Sequence, residues 1–319
     1  MVGAQRGLEV LAPGPLTTVQ DLGRPGHAAV GVGRGGAADR AALRLANRLV
    51  GNEEGTAALE ILLGGLALRA HGTLVVAVAG APCPLTVRHG GRVRTFAAYG
   101  PVHVRAGAEL RLGRAPTGLR AYLAVRGGLD LEPTLGSRST DLLAGLGPPP
   151  LRPGDLLPVG SSTSGAPLVD HAPVPPPSGG TVSLRVLPGP REDWFVSSAL
   201  DDLCAAPYDV LSESDRVGIR LSGTPLVRVR EEELPSEGTV RGALQVPPSG
   251  HPTLFLADHP VTGGYPVLAV VASADVDRAA QVRPGQRIRF VRQGRPAGAQ
   301  AAEVPDAAPG EKDSVPGRP

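Results

Sequence analysis

A short stretch near the start of the sequence, residues 15–26, reads PLTTVQDLGRPG and gathers polar side chains in a predicted turn. Glycine and proline on both sides of Arg24 predict that turn, because both residue types favour turn conformations. A turn that presents the amide of Gln20, the carboxylate of Asp21 and the guanidinium of Arg24 could bind a small polar ligand. The alternative is a structural turn in which Asp21 caps backbone N–H groups and pairs with Arg24.

A second group of polar residues lies in the other half of the chain. Asp215 and Arg216 precede a predicted strand and repeat the combination of one carboxylate with one guanidinium. The planar guanidinium matches a carboxylate or carbamate, and a neighbouring Asp can orient it. A double glycine nearby would let a ligand approach the backbone closely. The further candidates for ligand contacts in this half are Gln245, Asp258, Thr262, Gly263, Gly264 and Tyr265.

Residues 136–141, GSRSTD, form one more polar loop with a glycine at its head. Arg138 and the hydroxyls could contact an anion, or the loop could simply cap a helix. Because Asp, Arg, Gln and glycine loops occur in both halves, we predict one polar ligand site in a cleft rather than scattered surface turns.

The histidines do not indicate a metal site. All seven are scattered, and only His251 and His259 share a neighbourhood, without a spacing that suits one ion. We therefore assign no metal ligands, and whether the protein uses a metal stays open. His259 could act as an acid or base near neutral pH, or be a loop histidine without a catalytic role.

Lysine is almost absent. Lys312 is the only one, and it lies in a polar segment near the end of the chain. A phosphate-binding P-loop needs a lysine after its glycines, so this chain has no P-loop. A Schiff-base lysine and a biotin-bearing lysine in the core are excluded on the same ground. Any nucleotide or carrier chemistry must then come from another chain or a different kind of site.

The elements that would position these groups are predicted to be mostly strands. Short apolar segments are separated by 44 Gly and 34 Pro, and residues 109–112 and 287–290 alternate apolar with polar side chains. This pattern is typical of β-barrels or sandwiches. Three short helices are predicted: residues 39–50 with Asp39 as N-cap, a second from residue 197 or 198 to before Pro207, and a third from Asp275 to before Arg283.

The chain is predicted to contain two β domains. Residues 151–157 and 282–288 each contain Arg-Pro-Gly, which predicts a tight turn entering a strand, and a Ser/Gly/Pro-rich stretch lies between them. We predict a first domain over 1–160, a linker or long loop over 161–180, a second domain over 181–293 and a disordered tail over 294–319. The alternative is that two such turns occur by chance.

Charge and hydropathy exclude several classes of protein. The net charge is +2, and no basic run alternates with aromatic residues, so nucleic-acid binding is not predicted. No apolar run approaches the ~18 residues of a membrane span, and the first residues have no apolar region of a secretory signal. The expected location is the cytoplasm, without a membrane partner.

Several motifs lie in order along residues 8–292, at residues 17–26, 41–52, 58–60, 136–140, 187–190, 193–195, 214–218, 245–247 and 262–266. Together they resemble the biotin-dependent carboxyltransferase family, which includes the C component of 5-oxoprolinase (PxpC), KipA and the second allophanate-hydrolase-type subunit. At residues 79–82, AGAP, the chain departs from relatives that often carry an acidic residue after Gly-Ala.

The resemblance implies two tandem cyclophilin-like β-barrel domains and a role in a heteromeric complex. The implied partners are a PxpB/KipI-like subunit and a PxpA-like subunit. The implied reaction opens 5-oxo-L-proline to L-glutamate with ATP, which the complex uses and this chain does not bind through a P-loop. No biotin is expected on this chain. We therefore expect an ATP-dependent amide (lactam) hydrolase subunit that is active only in the complex.

Under this hypothesis Arg24 and Arg216 hold a carboxylate or a phosphorylated intermediate, and Asp21 and Asp215 orient them or act as general base. Gln245 with residues 262–264 would bind the carbonyl group. The remaining predicted substrate contacts are Gln20, Arg138, Asp258 and Tyr265.

Two other functions stay open. One is a carboxyltransferase half-domain of a biotin-dependent urea or amide carboxylase system. The other is a KipA-like regulatory binder of a kinase inhibitor. If the protein is part of an enzyme, its small substrate is expected to be a polar amide or lactam.

Overall fold

Strands dominate the computed structural model, which describes residues 6–167 and 169–293. This confirms the prediction of a mainly β chain with a few short helices. Two 3-10 turns are present at Ala28–Val30 and Glu192–Trp194. Within the described residues the α-helices are α1 (Arg40–Leu49), α2 (Ala199–Ala205) and α3 (Ser273–Ala279).

The first half of the chain folds into two mostly antiparallel sheets. The six-stranded sheet has the order β11-β1-β4-β9-β6-β7, and the five-stranded sheet has the order β2-β3-β10-β5-β8. The strands are β1 (Gly7–Pro13), β2 (Thr17–Gln20), β3 (Ala58–Leu62), β4 (Leu66–His71), β5 (Leu74–Gly80), β6 (Leu85–His89), β7 (Arg92–Phe96), β8 (Pro101–Val104), β9 (Glu109–Leu112), β10 (Arg120–Val125) and β11 (Leu156–Pro158).

The second half forms a closed seven-stranded barrel, in the order β12-β19-β16-β17-β14-β13-β20, with a two-stranded ribbon of β15 and β18 beside it. The closed barrel therefore occurs in this half, whereas the strands of the first half are shared between two sheets. The strands are β12 (Val182–Pro188), β13 (Tyr208–Val210), β14 (Gly218–Ser222), β15 (Glu237–Gly238), β16 (Ala243–Gln245), β17 (Thr253–Phe255), β18 (Thr262–Gly263), β19 (Val267–Val271) and β20 (Arg287–Arg292).

Alternation of apolar and polar residues explains which strand faces are buried. In β12, Val182, Leu184 and Val186 are buried and the residues between them are exposed, as a period of two requires. The alternating stretches predicted at residues 109–112 and 287–290 are β9 and part of β20. Both Arg-Pro-Gly segments are tight turns that enter a strand, with backbone bonds Asp155 N to Arg152 O and Gln286 N to Arg283 O.

The three predicted helices are present with small shifts of their ends. Asp39 caps α1, because its Oδ1 accepts the Ala42 N–H at 2.9 Å. The second helix begins after Ser198 and ends before Pro207, as predicted. The third begins at Ser273, two residues before the predicted Asp275, whose side chain is occupied by Arg185 at 2.8 Å.

Two hydrophobic cores hold the fold together, one formed by residues between 8 and 159 and one by residues between 182 and 290. They lie inside the two predicted domains, whose boundaries remain predictions. A third, small cluster of Ala38, Ala257 and Ala280 joins the two halves. Residues 161–180, the predicted linker, contain no strand or helix where the structure describes them.

The predicted tail, residues 294–319, lies outside the described residues. In the part of the chain that the structure covers, none of the helices has the length and hydropathy to cross a bilayer.

Candidate functional site

Asp21 organises the loop that follows the polar turn. Its Oδ1 accepts hydrogen bonds from the Gly23 N–H at 2.7 Å, Ser137 Oγ at 2.6 Å and Ser139 Oγ at 2.5 Å. Its Oδ2 accepts the backbone N–H of Arg138 at 2.7 Å. These four bonds satisfy the buried carboxylate and fasten residues 137–139 to the turn.

Arg24 and Gln20 bind the same loop. Arg24 is 1% exposed and donates to the carbonyl oxygens of Ser139 at 2.5 Å and Thr134 at 3.3 Å. Its Nη1 lies 3.9 Å from Asp141 Oδ2, so Arg24 pairs with that residue rather than with Asp21. Gln20 donates to the Thr140 carbonyl at 2.9 Å. The first cluster of predicted site residues is therefore assembled, and its contacts are those of a support for the 134–141 loop.

Only glycine fits where this turn meets the next loop. Gly23 has φ of +83°, and a Cβ placed on it would clash with the Arg34 carbonyl oxygen. The backbone of residues 21–24 thus packs directly against residues 34–37. This contact fixes the loop that carries Arg34.

Arg216 and Asp258 form the centre of a buried ionic network between the two halves. Arg216 donates to both oxygens of Asp258, from Nε at 2.9 Å and from Nη2 at 3.0 Å. Its Nη2 also donates to the Gly36 carbonyl at 2.6 Å, and its Nη1 donates to Glu60. Glu60 also accepts the Tyr122 hydroxyl at 2.7 Å. All the partners of the Arg216 guanidinium are internal, which is the arrangement of a residue that positions its neighbours.

The register of the five-stranded sheet places Glu60 at this centre. Glu60 lies opposite Tyr122 on β10 and Thr18 on β2. Burial raises the pKa of Glu60, but the charges of Arg216 and Arg120 outweigh burial, and the net effect holds that pKa below its usual value. Glu60 is therefore ionised and neutralises the buried guanidinium groups.

A second set of contacts joins α1 to the turn after α3. Asp39 Oδ2 accepts the side-chain N–H of Gln281 at 2.7 Å, and Gln281 Oε1 accepts the backbone N–H groups of Leu119 and Arg120, both at 3.0 Å. Burial raises the pKa of Asp39 to about 6. The side chain of Gln281 thus ties the second half to both α1 and β10.

The other predicted residues of the second half lie apart from this network. Asp215 is exposed and caps a turn by accepting the backbone N–H groups of Val217 at 2.8 Å and Gly218 at 3.0 Å. Gln245 donates to the carbonyl oxygen of Tyr265 at 3.0 Å, which holds the loop that contains Thr262, Gly263 and Gly264. The catalytic and substrate roles assigned to these residues from the sequence stay predictions.

A cleft of about 410 Å³ lies where the two halves meet, and we call it the basic cleft. Its lining residues include Arg24, His27, Arg34 and Arg40 from the first half and Thr239, Arg241 and His259 from the second. No carboxylate is among its lining residues in the described part of the chain. A small cavity with converging polar groups is the usual form of a ligand site, and this one suits an anion.

The arginines of the basic cleft differ in how many hydrogen-bond partners their guanidinium groups have. Arg241 binds Asp277 and the Ala38 carbonyl, both at 2.7 Å. Arg40, in contrast, has no hydrogen-bond partner for its guanidinium among the described residues, and its Nε is buried. Burial and the nearby charges of Arg241 and Arg34 lower the pKa of Arg40 to about 10, so it remains charged at neutral pH.

His259 supplies the basic cleft with a hydrogen-bond acceptor. Its Nδ1 lies 2.8 Å from the Pro260 carbonyl oxygen and 3.0 Å from Thr239 Oγ1. A carbonyl oxygen only accepts, so we assign the ring proton to Nδ1. Burial, with Arg241 and Arg40, lowers the pKa of His259, which keeps the imidazole neutral at pH 7. Its Nε2, without a partner in the described structure, then carries a lone pair.

A second cavity, of about 550 Å³, lies under residues 174–178. Its walls are largely apolar and include Leu45, Tyr99 and Val182, and the polar residues Asp39 and Gln281 also line it. It offers fewer cationic groups than the basic cleft and suits an anion less well. Among the described residues, no group of three or more His, Cys, Asp or Glu side chains could hold a metal ion.

Sequence reasoning missed Glu60, Arg40 and Arg241 as candidates. Two signals were present in the sequence. Glu60 is a lone charge in the apolar run ALEIL, which indicates a buried partner. Arg40 is a cation in the first turn of a helix, where the helix dipole favours anions, so a basic residue at that position needs a reason.

Comparison with known proteins gives a consistent picture. Residues 30–292 match the family model described as "Carboxyltransferase domain, subdomain A and B". The chain is 38% identical over 287 residues to the C component of the 5-oxoprolinase of Escherichia coli, covering 89% of this chain and 90% of that protein. It is 35% identical over 286 residues to the corresponding 5-oxoprolinase component of Haemophilus influenzae, with the same coverage.

Among solved structures, the urea amidolyase of K. lactis matches with a TM-score of 0.85 at 32% identity. The match covers 92% of this chain and 19% of that protein. The chain thus corresponds to about one fifth of that enzyme.

Proposed function

Because the chain belongs to the carboxyltransferase domain family of subdomains A and B, we propose that it is the C component of an ATP-dependent 5-oxoprolinase complex. The complex would convert 5-oxo-L-proline to L-glutamate. The observation that carries this proposal is the 38% identity to the C component of a 5-oxoprolinase, which extends over nine-tenths of both chains. A match over nearly the whole of both chains supports the same role better than a match to part of a large enzyme does.

The composition of the chain supports a division of labour between subunits. With Lys312 as the only lysine, the chain has no P-loop, so the nucleotide would be bound by a partner. A PxpB/KipI-like and a PxpA-like subunit are the proposed partners, and an ATP-rich compartment such as the cytoplasm is the proposed location. This chain would contribute a binding site for the small substrate and be active only within the complex.

The arrangement of residues suits that contribution. The basic cleft lies between the two halves and is lined by both, and the ionic network around Arg216 and Glu60 fixes the segments on either side. Such a fixed, positively charged cleft can orient a small anion so that a reactive group on a partner reaches its carbonyl carbon. We propose that the residues first predicted as catalytic, Asp21, Arg24, Asp215 and Arg216, act by positioning these segments.

The test is reconstitution. The chain is mixed with a PxpB/KipI-like subunit and a PxpA-like subunit, and glutamate formation from 5-oxo-L-proline and ATP is measured, with each subunit omitted in turn. We expect glutamate only from the full mixture. Turnover that is unchanged without this chain would refute the proposal.

A second function has one specific observation in its favour, the close structural match to part of a urea amidolyase. Under that alternative the chain is a carboxyltransferase unit of a biotin-dependent urea or amide carboxylase system. Activity would then require a biotin carrier and be blocked by avidin. Avidin added to the reconstituted mixture separates the two functions, and under our proposal it has no effect.

A further inference from the structure

The basic cleft carries positive charge that its own lining does not neutralise. Arg34 and Arg40 are in no ion pair among the described residues. The other two lining arginines are paired outside the cleft wall, Arg241 with Asp277 and Arg24 with Asp141. Like charges held close together cost free energy unless a counter-ion joins them. This repulsion acts on Arg40, because burial and also its basic neighbours lower its pKa.

Arg40 is the residue that most needs a partner. A guanidinium group has five N–H donors and cannot accept a hydrogen bond. The Arg40 backbone N–H binds Asp277 at 3.1 Å, which fixes the start of α1, but its half-buried side chain meets no acceptor in the described structure. Arg34 is anchored at Nε by the Leu22 carbonyl at 3.2 Å, which leaves its terminal nitrogens for a ligand.

His259 adds the opposite hydrogen-bonding character. The Nδ1 proton is engaged by Pro260 and Thr239, so the free Nε2 can only accept. The ring stacks on Phe255, with ring centroids 5.8 Å apart, which fixes its plane. The groups that surround it are Arg40, Arg241 and Asp258, and the two cations oppose protonation of the imidazole. A ligand here must therefore offer a donor beside its negative charge.

Resting on the proposed function, we propose that the basic cleft binds a small carboxylate bearing an adjacent N–H group, with Arg40 and Arg34 binding the carboxylate and His259 Nε2 accepting the N–H hydrogen. 5-Oxo-L-proline has this pattern, because its ring N–H is attached to the carbon that carries the carboxylate. A fully ionised phosphate group offers only acceptor oxygens and would place one of them against the Nε2 lone pair. The lining therefore favours the lactam acid over a phosphate.

The first test uses the full chain alone and compares four probes by isothermal titration calorimetry. The probes are 5-oxo-L-proline, 2-pyrrolidinone without the carboxylate, the corresponding lactone acid in which oxygen replaces the N–H, and methyl phosphate in its dianionic form, which has only acceptor oxygens. We expect 5-oxo-L-proline to bind best and each of the other three to bind about tenfold more weakly or worse. 2-Pyrrolidinone lacks the charged hydrogen bonds to the arginines, and the lactone acid and methyl phosphate place an acceptor oxygen against the unpaired Nε2 lone pair. Equal binding of the lactam and the lactone acid would overturn the role of His259.

The second test uses variants. Arg40→Gln should weaken binding of 5-oxo-L-proline by about tenfold or more, and the matched control Arg92→Gln, on an exposed face of β7, should leave it unchanged. His259→Phe should remove the preference for the lactam over the lactone acid while both still bind. A purely structural role of His259 would weaken both ligands equally. Arg34→Gln provides a second test of the carboxylate contact if Arg40→Gln does not fold.

The test of ligand binding in the basic cleft can fail independently of the test of glutamate formation by the complex. If the complex makes glutamate but Arg40→Gln has an unchanged KM, the inference about the basic cleft is wrong and the function stands. If the chain binds 5-oxo-L-proline through Arg40 but the full mixture makes no glutamate, the proposed reaction is wrong and the site stands. Tighter binding of the methyl phosphate dianion than of 5-oxo-L-proline would overturn the inference.

Discussion

At the scale of single residues, burial separates two kinds of arginine in this protein. Arg216 and Arg24 are almost fully buried and bind carboxylates and carbonyl groups of the chain itself. Arg34 and Arg40 reach the basic cleft, where Arg40 has no internal acceptor for its guanidinium among the described residues. The sequence does not distinguish these two kinds, because every arginine carries the same charge. The structure distinguishes them by the number of hydrogen-bond acceptors that the chain itself places around each guanidinium group.

Glu60 gives the clearest test of the buried network. Glu60→Gln removes the charge that neutralises Arg216 and Arg120, and leaving buried charge uncompensated costs about 3–5 kcal/mol. We expect the free energy of unfolding, measured by chemical denaturation, to fall by about that amount. Glu109→Gln is the control, because the partly exposed Glu109 pairs with Arg69 at 3.5 Å and such pairs contribute about 0–1 kcal/mol.

The difference in free energy of unfolding between the wild-type protein and Glu60→Gln should change with pH in one direction. The folded state lowers the pKa of Glu60, so its stabilising effect is complete above the ordinary value of 4.5 and is lost as the pH falls through the lowered pKa. The wild-type advantage over Glu60→Gln should hold at neutral pH and shrink only in acid. An advantage that grew in acid would contradict the assignment of Glu60 as the ionised partner.

At the scale of elements, local patterns predicted the strands well. The bounds of β9 coincide with the alternating stretch predicted at residues 109–112, and β20 begins with the stretch predicted at residues 287–290. The Asp39 cap and Gly51 at φ +71° likewise marked the ends of α1. These features depend on neighbours in the sequence, which is why they could be predicted.

The site could be predicted only in part, because it depends on contacts between distant segments. Arg216 meets Glu60 across 156 positions of sequence, and Gln281 meets Asp39 across 242. Local reasoning found Arg216 and Asp258 as unusual polar residues but had no means to pair Arg216 with Glu60. A polar ligand site in a cleft was predicted, but Arg40 and Arg241 of the basic cleft were not, because they come from distant segments of the two halves.

The end of β5 provides a test of packing between elements. Gly80 has φ of +82°, and a Cβ there would lie 2.5 Å from the Arg120 carbonyl oxygen. We expect Gly80→Ala to lower the free energy of unfolding by about 3 kcal/mol, through backbone strain and this clash. Gly107→Ala is the matched control, because Gly107 has φ of +77° but open space around it. There only the left-handed backbone conformation lowers the free energy of unfolding, by about 1 kcal/mol. Equal losses in thermal or chemical unfolding would show that β10 does not constrain Gly80.

At the scale of the whole molecule, the two halves are joined by polar side chains more than by their cores. The shared hydrophobic cluster consists of three alanines, Ala38, Ala257 and Ala280. Around it lie the Arg216 network, the Gln281 bonds and Arg283, which donates to the carbonyl oxygens of Gly118 at 2.6 Å and Ala115 at 2.8 Å. Directional bonds of this kind fix the relative orientation of the halves, and hence the shape of the basic cleft between them.

Asp39 makes this junction sensitive to pH. Burial raises its pKa from 3.8 to about 6, so the folded state binds a proton more tightly than the unfolded state does. Stability relative to Asp39→Asn should therefore fall as the pH rises from about 4 to about 7, by about 3 kcal/mol at most. Urea unfolding of both proteins at several pH values measures it. Asp155→Asn, on an exposed turn, controls for the loss of a carboxylate, and the same trend in that variant would refute the assignment to Asp39.

The claim that this chain is the C component of a 5-oxoprolinase complex is tested most directly by coupled turnover. Glutamate and ADP are measured together in the reconstituted mixture of all three subunits, with and without this chain and in the presence of avidin. We expect glutamate and ADP to rise together only when this chain is present, and avidin to leave the rate unchanged. Glutamate formed at the same rate without this chain, or no glutamate from the complete and folded mixture, would contradict it.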